Sequence, residues 1–148
     1  MRCDPASVVE GFFAAWEQQD VETSLAYCVE DIVYSVKQPS GVYGLGREIC
    51  GKPALRSYLN ALVAVWEFLD LRGEIVGVEG DTVRVTTHFR CRHRPTGETI
   101  DGRKRHVWKI ETGRVLSCTE YQDAFALAAF LRMAERKTAN GKQGLSKH

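Results

Sequence analysis

One stretch, residues 106–123, constrains the fold of this chain more than any other. Two runs rich in β-branched and aromatic residues flank the dipeptide Thr112-Gly113, which is suited to a tight turn. The stretch therefore predicts a β-hairpin, in which successive side chains point to opposite faces. This alternation brings one set of side chains to a single face: His106, Trp108, Cys118, Glu120 and Gln122. An imidazole, an indole and a carboxylate on one apolar face are typical of a small-molecule pocket.

The size and charge of the chain limit its organisation and its partners. With 148 residues, 44% of them hydrophobic, it can bury one good core but not two. We predict a single domain over residues 1–136 and a disordered basic tail over residues 137–148, where polar residues leave little apolar surface. The net charge of +1 and the isoelectric point near 7.7 argue against nucleic acid or an acidic membrane as a partner.

Two further features bear on the location of the protein. The N-terminal sequence lacks the apolar core of a signal peptide, and no apolar run is long enough to span a bilayer. Five cysteines are widely spaced and form no Cys-x-x-Cys pair, which argues against a disulfide framework and favours reduced thiols. We therefore expect a cytoplasmic protein.

Metal and cofactor sites are not expected. The nearest approach to a ligand cluster is His88, Cys91 and His93, but a strand would place His88 on the face opposite the other two. The chain also has no Gly-x-Gly-x-x-Gly motif and no phosphate loop. We predict chemistry without a metal or another cofactor.

Hydrophobic periodicity predicts the order of helices and strands. Asp4-Pro5 and Asp20 are helix start signals, each followed by apolar residues at three- and four-residue spacing. The predicted helices run from Pro5 through Trp16, over Val21–Tyr27, from Gly51 to near Phe68, and over Ala124–Arg136. The predicted strands are Ile32–Val36, Asp70–Glu79, Thr82–Arg94, Ile100–Glu111 and Val115–Gln122. This order indicates an α+β fold with helices on one face of a curved sheet.

Four short motifs, taken in order and with their spacing, carry a resemblance to a known superfamily. They are Trp16-Glu17-Gln18-Gln19-Asp20, Glu30-Asp31, Gly51-Lys52-Pro53-Ala54-Leu55 and Glu120-Tyr121-Gln122-Asp123. Over about residues 5–130 the chain resembles the nuclear-transport-factor-2-like superfamily, in the branch of SnoaL-like polyketide cyclases and ketosteroid isomerases. The resemblance implies a cone-shaped, strongly curved, mostly antiparallel sheet wrapped on three helices, with a C-terminal helix. It also implies a pocket at the mouth of the cone and a homodimer formed through the outer sheet face.

The resemblance does not extend to ketosteroid isomerase activity. These isomerases use an aspartate base, with a tyrosine and a protonated acid that hold the oxyanion. The corresponding positions of this chain are Val36, Phe12 and His106. Without the base, such a pocket cannot move a proton between carbons in the isomerase's way, so we exclude that activity.

Other branches of the superfamily imply functional residues that this chain matches in part. Dehydratases pair a histidine with an acid late in the first helix, and Glu17 corresponds to this acid. In some members the histidine lies after the third helix, where this chain has Leu69, and in others it lies on a later strand, where His106 corresponds to it. Epoxide hydrolases of this fold position water with an acid on the last strand, which corresponds to Glu120. The arginine and the second acid of these epoxide hydrolases correspond to Lys104 and His106. This chain therefore matches the epoxide hydrolase pattern only in part.

The candidate catalytic residues follow from the inward face and from the resemblance. We predict that His106 is a general base or acid oriented by Glu17 or Glu120, and that the Tyr34 hydroxyl holds an oxygen. A buried Glu120 must be paired, hydrated or protonated, because an isolated carboxylate loses its hydration. The alternatives are a histidine without a chemical role, a structural ion pair, a solvated Glu17 and a plain core tyrosine.

The candidate ligand-binding residues are mostly apolar. They are Phe12, Trp16, Val36, Lys104, Trp108, Cys118 and Gln122, with Trp66 as a further candidate. Core packing is the alternative for each aromatic residue. If several line one cavity, the ligand is flat and apolar, such as an aromatic or polyketide-like ring. Nothing beside Cys118 in sequence would activate its thiol, so we assign it to the wall.

The predicted strand Thr82–Arg94 has one strongly basic face. Alternation places Arg84, Thr86, His88, Arg90, Arg92 and Arg94 on it, opposite Val83, Val85, Thr87, Phe89 and Cys91. One interpretation is a surface for anions or nucleic acid. The near-zero net charge and the lack of stacking aromatic residues favour a solvated or dimer-facing surface instead.

Together these observations predict a small-molecule-binding protein. The leading hypothesis is a cofactor-independent enzyme that performs dehydration, cyclisation or hydrolysis on an apolar ring-bearing metabolite. The alternative is a non-catalytic ligand-binding or dimerisation module of the same fold. An open, partly polar cavity would favour the enzyme, whereas a cavity filled by its own side chains would favour the module.

Overall fold

The helices and strands follow the predicted order, with one strand more than the sequence indicates. The computed structural model describes residues 4–37 and 47–122, together with residues 129, 130, 132, 133 and 136. The helices are α1 (Pro5–Glu17), α2 (Val21–Ala26) and α3 (Lys52–Val65). The strands are β1 (Cys28–Lys37), β2 (Arg47–Cys50), β3 (Trp66–Glu79), β4 (Thr82–His93), β5 (Thr99–Glu111) and β6 (Arg114–Gln122).

The strands of the described residues form one curved, open sheet in the order β2-β1-β6-β5-β4-β3. Strands β1 and β6 run parallel, and all other neighbours are antiparallel. The three helices pack on the inner face of this sheet, where they share the hydrophobic core with the inward-facing strand residues. The predicted α+β fold is therefore confirmed. Most of the predicted C-terminal helix and the whole predicted tail lie outside the described residues.

The helices begin where their capping residues predict. The Asp4 side chain accepts a hydrogen bond from the backbone N–H of Ala6, and Asp20 accepts one from Thr23. The buried side chains of α1 and α2 are Val8, Val9, Phe12, Ala15, Val21, Ser24 and Leu25. No helix in the described part of the chain has both the length and the apolar character needed to cross a membrane.

The predicted end of the third helix near Phe68 is wrong. Helix α3 ends at Val65, and Trp66 is already extended, with φ of −118° and ψ of 131°. Trp66 pairs with His93 across β3 and β4. The apolar spacing of this segment fits a helix, but hydrogen bonding to the neighbouring strand determines its conformation.

The first two strands also differ from the prediction. Strand β1 begins at Cys28 instead of Ile32, and Cys28 is the register partner of Val115 on β6. Strand β2 is absent from the prediction, although it pairs with the end of β1. Ile49 is the buried residue of β2 and the other three are exposed, so the sequence shows no alternating apolar pattern there.

The predicted hairpin is confirmed. It joins β5 and β6 through Thr112 and Gly113, whose φ values of 52° and 75° are both positive, as tight hairpin turns require. The register places His106 opposite Glu120, with Trp108 opposite Cys118. All four of these side chains are buried, so both strands have the predicted inward phase.

The predicted basic face lies on the outer side of the sheet. Val83 and Val85 of β4 are buried, whereas Arg84, Arg90 and Arg92 are exposed. Four of its cationic side chains form ion pairs with acids of this same chain, with N···O distances of 3.4 to 3.9 Å: His88–Glu74, Arg90–Asp101, Arg92–Glu67 and Arg94–Glu67. These pairs support the interpretation of a solvated surface.

Candidate functional site

A cavity lies between the helices and the inner face of the sheet. Its volume is about 160 Å³, counted as the space open to the centre of a water molecule. Helix α1 contributes Phe12, Phe13 and Trp16, and α3 contributes Leu59 and Leu62. The sheet contributes Tyr34, Trp66, Phe68, Leu71, Thr87, Phe89, Cys91, Ile100, Asp101, Gly102, Arg103, Lys104, His106, Trp108, Glu120 and Gln122. The lining of the cavity is therefore mostly apolar, with some polar side chains.

Aromatic rings form the walls of the cavity. The ring centroid of Trp108 lies 4.9 Å from that of Phe12 and 5.7 Å from that of Phe13. On the other side, Trp16 and Phe68 meet edge to face at 4.9 Å. Such contacts between neighbouring rings restrict the movement of each ring.

The carboxylate of Glu120 is the centre of the polar end. Its Oε1 accepts a hydrogen bond from the Tyr34 hydroxyl at 2.7 Å and lies 3.0 Å from Nε2 of His106. Its Oε2 accepts a hydrogen bond from the Gln122 amide and lies 3.8 Å from Nζ of Lys104. Glu120 is 4% exposed, so these groups replace the water that burial removes.

The imidazole of His106 is held on both edges and on its faces. Its Nε2 faces Glu120, and its Nδ1 lies 3.1 Å from Oγ1 of Thr87. The Phe13 ring meets the imidazole edge to face with centroids 5.9 Å apart, and the Trp108 ring lies 5.8 Å away at a 31° tilt. These contacts restrict the rotation of the ring.

The surroundings of Glu120 keep it ionised. Burial by itself would raise the pKa of Glu120, but the positive charge of Lys104 and the hydrogen bonds from His106 and Tyr34 hold it well below its usual range. Burial and the negative charge of Glu120 raise the pKa of Tyr34 far above its ordinary value. At neutral pH the site therefore holds a carboxylate and a protonated phenol. A carboxylate with such a low pKa is a weak general base.

Most of the predicted site residues meet at this cavity. Those that line it are Phe12, Trp16, Tyr34, Lys104, His106, Trp108, Glu120 and Gln122. Trp66, the further candidate, lines it as well.

The structure separates three predicted site residues from the cavity. Val36 and Cys118 face inward, as alternation predicts, but they pack into the hydrophobic core and do not line the cavity. Burial raises the pKa of the Cys118 thiol far above its usual value, so the thiol stays neutral. Glu17, at the end of α1, is exposed and takes no part in the cavity, because the helix turns its side chain away. The predicted orientation of His106 by Glu17 therefore does not fit the structure.

Several cavity residues were not predicted. Phe13 and Phe89 were overlooked as wall residues, and Thr87 was overlooked as the partner of His106. Alternation along β4 does place Thr87 and Phe89 on the inward face. The hydroxyl of Thr87 among the apolar inward residues of β4 was the signal that the sequence offered. Its distance to His106, however, depends on the pairing of β4 with β5.

Two buried polar atoms have no hydrogen-bond partner among the described residues. They are the indole Nε1 of Trp108 and Oε1 of Gln122, both on side chains that line the cavity. Metal-binding groups of three or more His, Cys, Asp or Glu side chains do not occur in the part of the chain that is described. The imidazole of His93, for instance, pairs with the Thr96 hydroxyl at 2.9 Å.

Comparisons with solved structures show proteins of the same fold. An NTF2-like protein from Burkholderia xenovorans LB400 is 25% identical, with a TM-score of 0.71 over 87% of this chain and 96% of that chain. A protein from Mesorhizobium loti, provisionally assigned as a SnoaL-like polyketide cyclase, is 20% identical, with a TM-score of 0.64 over 80% and 99%. TerC, co-crystallised with polyporic acid, is 21% identical, with a TM-score of 0.69 over 88% and 98%.

The sequence itself matches one protein family. Comparison with curated proteins finds no match. The SnoaL-like domain family, in contrast, matches over residues 9–118, which include most of α1, all of α2 and α3, and the first part of β6. Because this match covers most of the chain and the structural neighbours share its architecture, the chain belongs to the SnoaL-like domain family and has the nuclear-transport-factor-2-like fold.

Proposed function

We propose that this protein binds a flat, largely apolar small molecule with one polar end and performs acid–base chemistry on it without a cofactor. The observation that carries the proposal is the buried pair of Glu120 and His106, 3.0 Å apart, at one end of an aromatic cavity. Two ionisable groups are costly to bury, and the cavity places them where a ligand would meet them. The reaction classes that suit such a site are dehydration, cyclisation and hydrolysis.

The walls support a ring-bearing ligand. Rings from α1 and from the strands surround the cavity, and a flat apolar molecule would bury most of its surface against them. The unpartnered Nε1 of Trp108 and Oε1 of Gln122 would gain hydrogen bonds from a polar group on the ligand after small side-chain adjustments. The polyketide cyclase assignment of one structural neighbour and the co-crystallisation of another with polyporic acid agree with this class of ligand.

The roles of the polar residues follow from their geometry. Glu120 is a weak base, so its role is to orient the His106 ring and to stabilise the imidazolium that forms when His106 accepts a proton. Imidazole is the side chain most often used as a proton carrier near neutral pH. Lys104, whose ammonium has three hydrogens, is the donor that would hold a ligand oxygen. The single hydrogen of the Tyr34 hydroxyl is donated to Glu120, so Tyr34 would have to turn away from Glu120 to hold a ligand oxygen itself.

A second candidate function is a non-catalytic binding module. One observation favours it: both nitrogens of His106 and both oxygens of Glu120 already have protein partners. In such a module the same network would only shape the polar end of the cavity. The two functions differ in whether a bound ligand is turned over.

Replacement of His106 tests the proposal. The full chain is first screened by thermal shift against hydroxylated aromatic and polyketide-like compounds, since a ligand at 100 times its Kd stabilises the fold by about 2.7 kcal/mol. Compounds that bind are then assayed for turnover with the unaltered chain and with His106→Gln. We expect the variant to lose at least about 100-fold in kcat, because general acid–base catalysis contributes about that much. Binding should weaken less than about tenfold.

The control is His88→Gln, which changes a histidine on the outer face of the sheet. It should alter neither binding nor turnover. Ligands that bind but are never turned over would establish the binding module instead. A cavity that accepts none of these compounds would contradict both functions.

A further inference from the structure

We propose that Thr87 links His106 to the cavity, so that a proton leaving a ligand hydroxyl or a bound water reaches Nδ1 of His106 through the Thr87 hydroxyl. This inference rests on the proposed function and names the group on which the site acts: a hydroxyl. Thr87 lines the cavity, is 2% exposed, and lies 3.1 Å from Nδ1. The carboxylate of Glu120, the imidazole of His106 and the hydroxyl of Thr87 therefore follow one another, with each group in contact with the next.

The first step is the position of the hydrogen on His106. The partners of the Glu120 carboxylate include the Tyr34 hydroxyl, the Gln122 amide and the Lys104 ammonium, all of which are donors. A carboxyl group surrounded in this way acts as an acceptor, so Nε2 of His106 carries the hydrogen that faces it. The neutral imidazole then has its lone pair on Nδ1, where Thr87 lies.

The second step is the ability of a hydroxyl to act in both directions. Toward the neutral imidazole, Thr87 donates its hydrogen to Nδ1. When Nδ1 gains a proton, the same oxygen accepts a hydrogen bond from it without any movement of heavy atoms. Valine, which has nearly the same shape, can do neither.

The third step is the path of the proton. An O–H bond of the ligand or water breaks as a new O–H bond forms to Oγ1 of Thr87. At the same time the original Thr87 O–H bond breaks and an N–H bond forms at Nδ1. Thr87 is neutral before and after, and the products are an oxyanion in the cavity and an imidazolium that faces Glu120. Because Glu120 occupies Nε2, Nδ1 is the nitrogen left to receive the proton.

The test is an NMR titration of the His106 ring, which needs no ligand. The full chain is compared with Thr87→Val and Thr87→Ser, and the ring signal is assigned with His106→Gln. The groups that face the ring are Glu120 and Tyr34, with the rings of Phe13 and Trp108 packed against it. The Lys104 ammonium faces Glu120, and none of these groups changes in these variants.

We expect Thr87→Val to lower the midpoint pH of His106 protonation by about one unit. A hydrogen bond to the charged ring is stronger than one to the neutral ring, so the loss of the Thr87 hydroxyl disfavours the imidazolium. Thr87→Ser should keep the midpoint, because it keeps the hydroxyl. Thr86→Val, which removes the neighbouring hydroxyl from the opposite face, is the matched control and should also keep it.

An unchanged midpoint in Thr87→Val would overturn the proposal, as would a Thr87→Ser variant that behaves like Thr87→Val. If Thr87→Val does not fold, Thr87→Cys takes its place, because a thiol has similar size and hydrogen-bonds weakly. We expect a shift in the same direction for Thr87→Cys, and an unchanged midpoint would again refute the link.

The relay itself is tested with a compound that the chain turns over. Thr87→Val should lower kcat at least about tenfold with KM changed less than about threefold, and Thr87→Ser should restore most of kcat. Equal kcat values in the unaltered chain and Thr87→Val would overturn the relay. If no compound is turned over, the proposed function fails, whereas the titration still decides whether Thr87 serves His106 in both protonation states.

Discussion

Glu120 is the residue on which the polar end of the cavity depends. It accepts hydrogen bonds from Tyr34, His106 and Gln122 and faces Lys104 across 3.8 Å. Because all of these groups present hydrogens, protonation of the carboxylate would weaken these contacts and bring its new hydrogen against one of the donors. The ionised form of Glu120 therefore stabilises the fold as well as the site.

The pH dependence of stability should report this residue. The folded-state pKa of Glu120 lies below its ordinary value of 4.5, so its contribution to the free energy of unfolding is present above pH 4.5 and is lost as the pH falls further. We expect Glu120→Gln to lower this free energy by about 2 kcal/mol at pH 7, since a buried charged hydrogen bond is worth that much. The difference from the unaltered chain should shrink as the pH falls below 4.5.

Urea unfolding at pH 7 and at several lower pH values measures this difference. Glu74→Gln, which changes an exposed carboxylate on the outer face, serves as the control and should shift stability by less than about 0.5 kcal/mol at each pH. A Glu120→Gln deficit that stays constant at all pH values would show that the carboxylate charge is not what stabilises the site.

At the scale of elements, two glycines let aromatic rings lie on the sheet. A Cβ at Gly73 on β3 would be 3.3 Å from the Phe13 ring, and a Cβ at Gly102 on β5 would be 2.5 Å from the Phe89 ring. The missing side chains make room for rings from α1 and β4, both of which line the cavity. Strand pairing therefore shapes the walls as much as the helices do.

Gly102→Ala should reduce the cavity. The added methyl group would push the Phe89 ring off β5 and toward the open space, at a cost of about 1 kcal/mol in stability. Ligands found by screening should bind several-fold more weakly. Thermal unfolding and ligand titration measure the two effects. Gly77→Ala is the matched control, because its nearest neighbour is Cδ of Arg84 at 4.0 Å. Equal losses in both variants would refute the role of Gly102.

At the scale of the whole molecule, we propose that two copies of the chain pair through the outer face of the sheet. Helices of the described residues pack on the inner face, and the outer face presents half-buried apolar and small side chains near its centre. Val107 and Thr119 are register partners there, and Tyr121 on the same strand is 43% exposed. This surface supports the proposal of a homodimer.

Light scattering on the full chain tests the homodimer. We expect twice the mass of the 16.6 kDa chain, and we expect Thr119→Arg to give the monomer mass, because it places a charge at the centre of the face. Circular dichroism should show that the variant stays folded. Glu74→Arg, at the edge strand β3, is a control that should remain dimeric. A monomeric unaltered chain would refute the proposal.

The inward pairing of His106 and Glu120 could be predicted because a hairpin is a local structure. The turn residues and the alternating side chains of the hairpin are neighbours in the sequence. The sequence therefore predicts which side chains of both strands face inward. The helix caps at Asp4 and Asp20 are local for the same reason. The motifs spread along the chain further identified the superfamily.

Features that depend on distant parts of the chain needed the tertiary structure. Trp66 joins a strand because β4 offers it a partner, and β2 forms because β1 has a free edge. An inward-facing residue can either line the cavity or pack in the core, depending on which helix covers it. Val36 and Cys118 pack in the core. Thr87 meets His106 only through the pairing of β4 with β5. The sequence alone determined the local conformations and the faces of its strands, and the tertiary structure decided which faces meet, because those contacts join residues far apart in the chain.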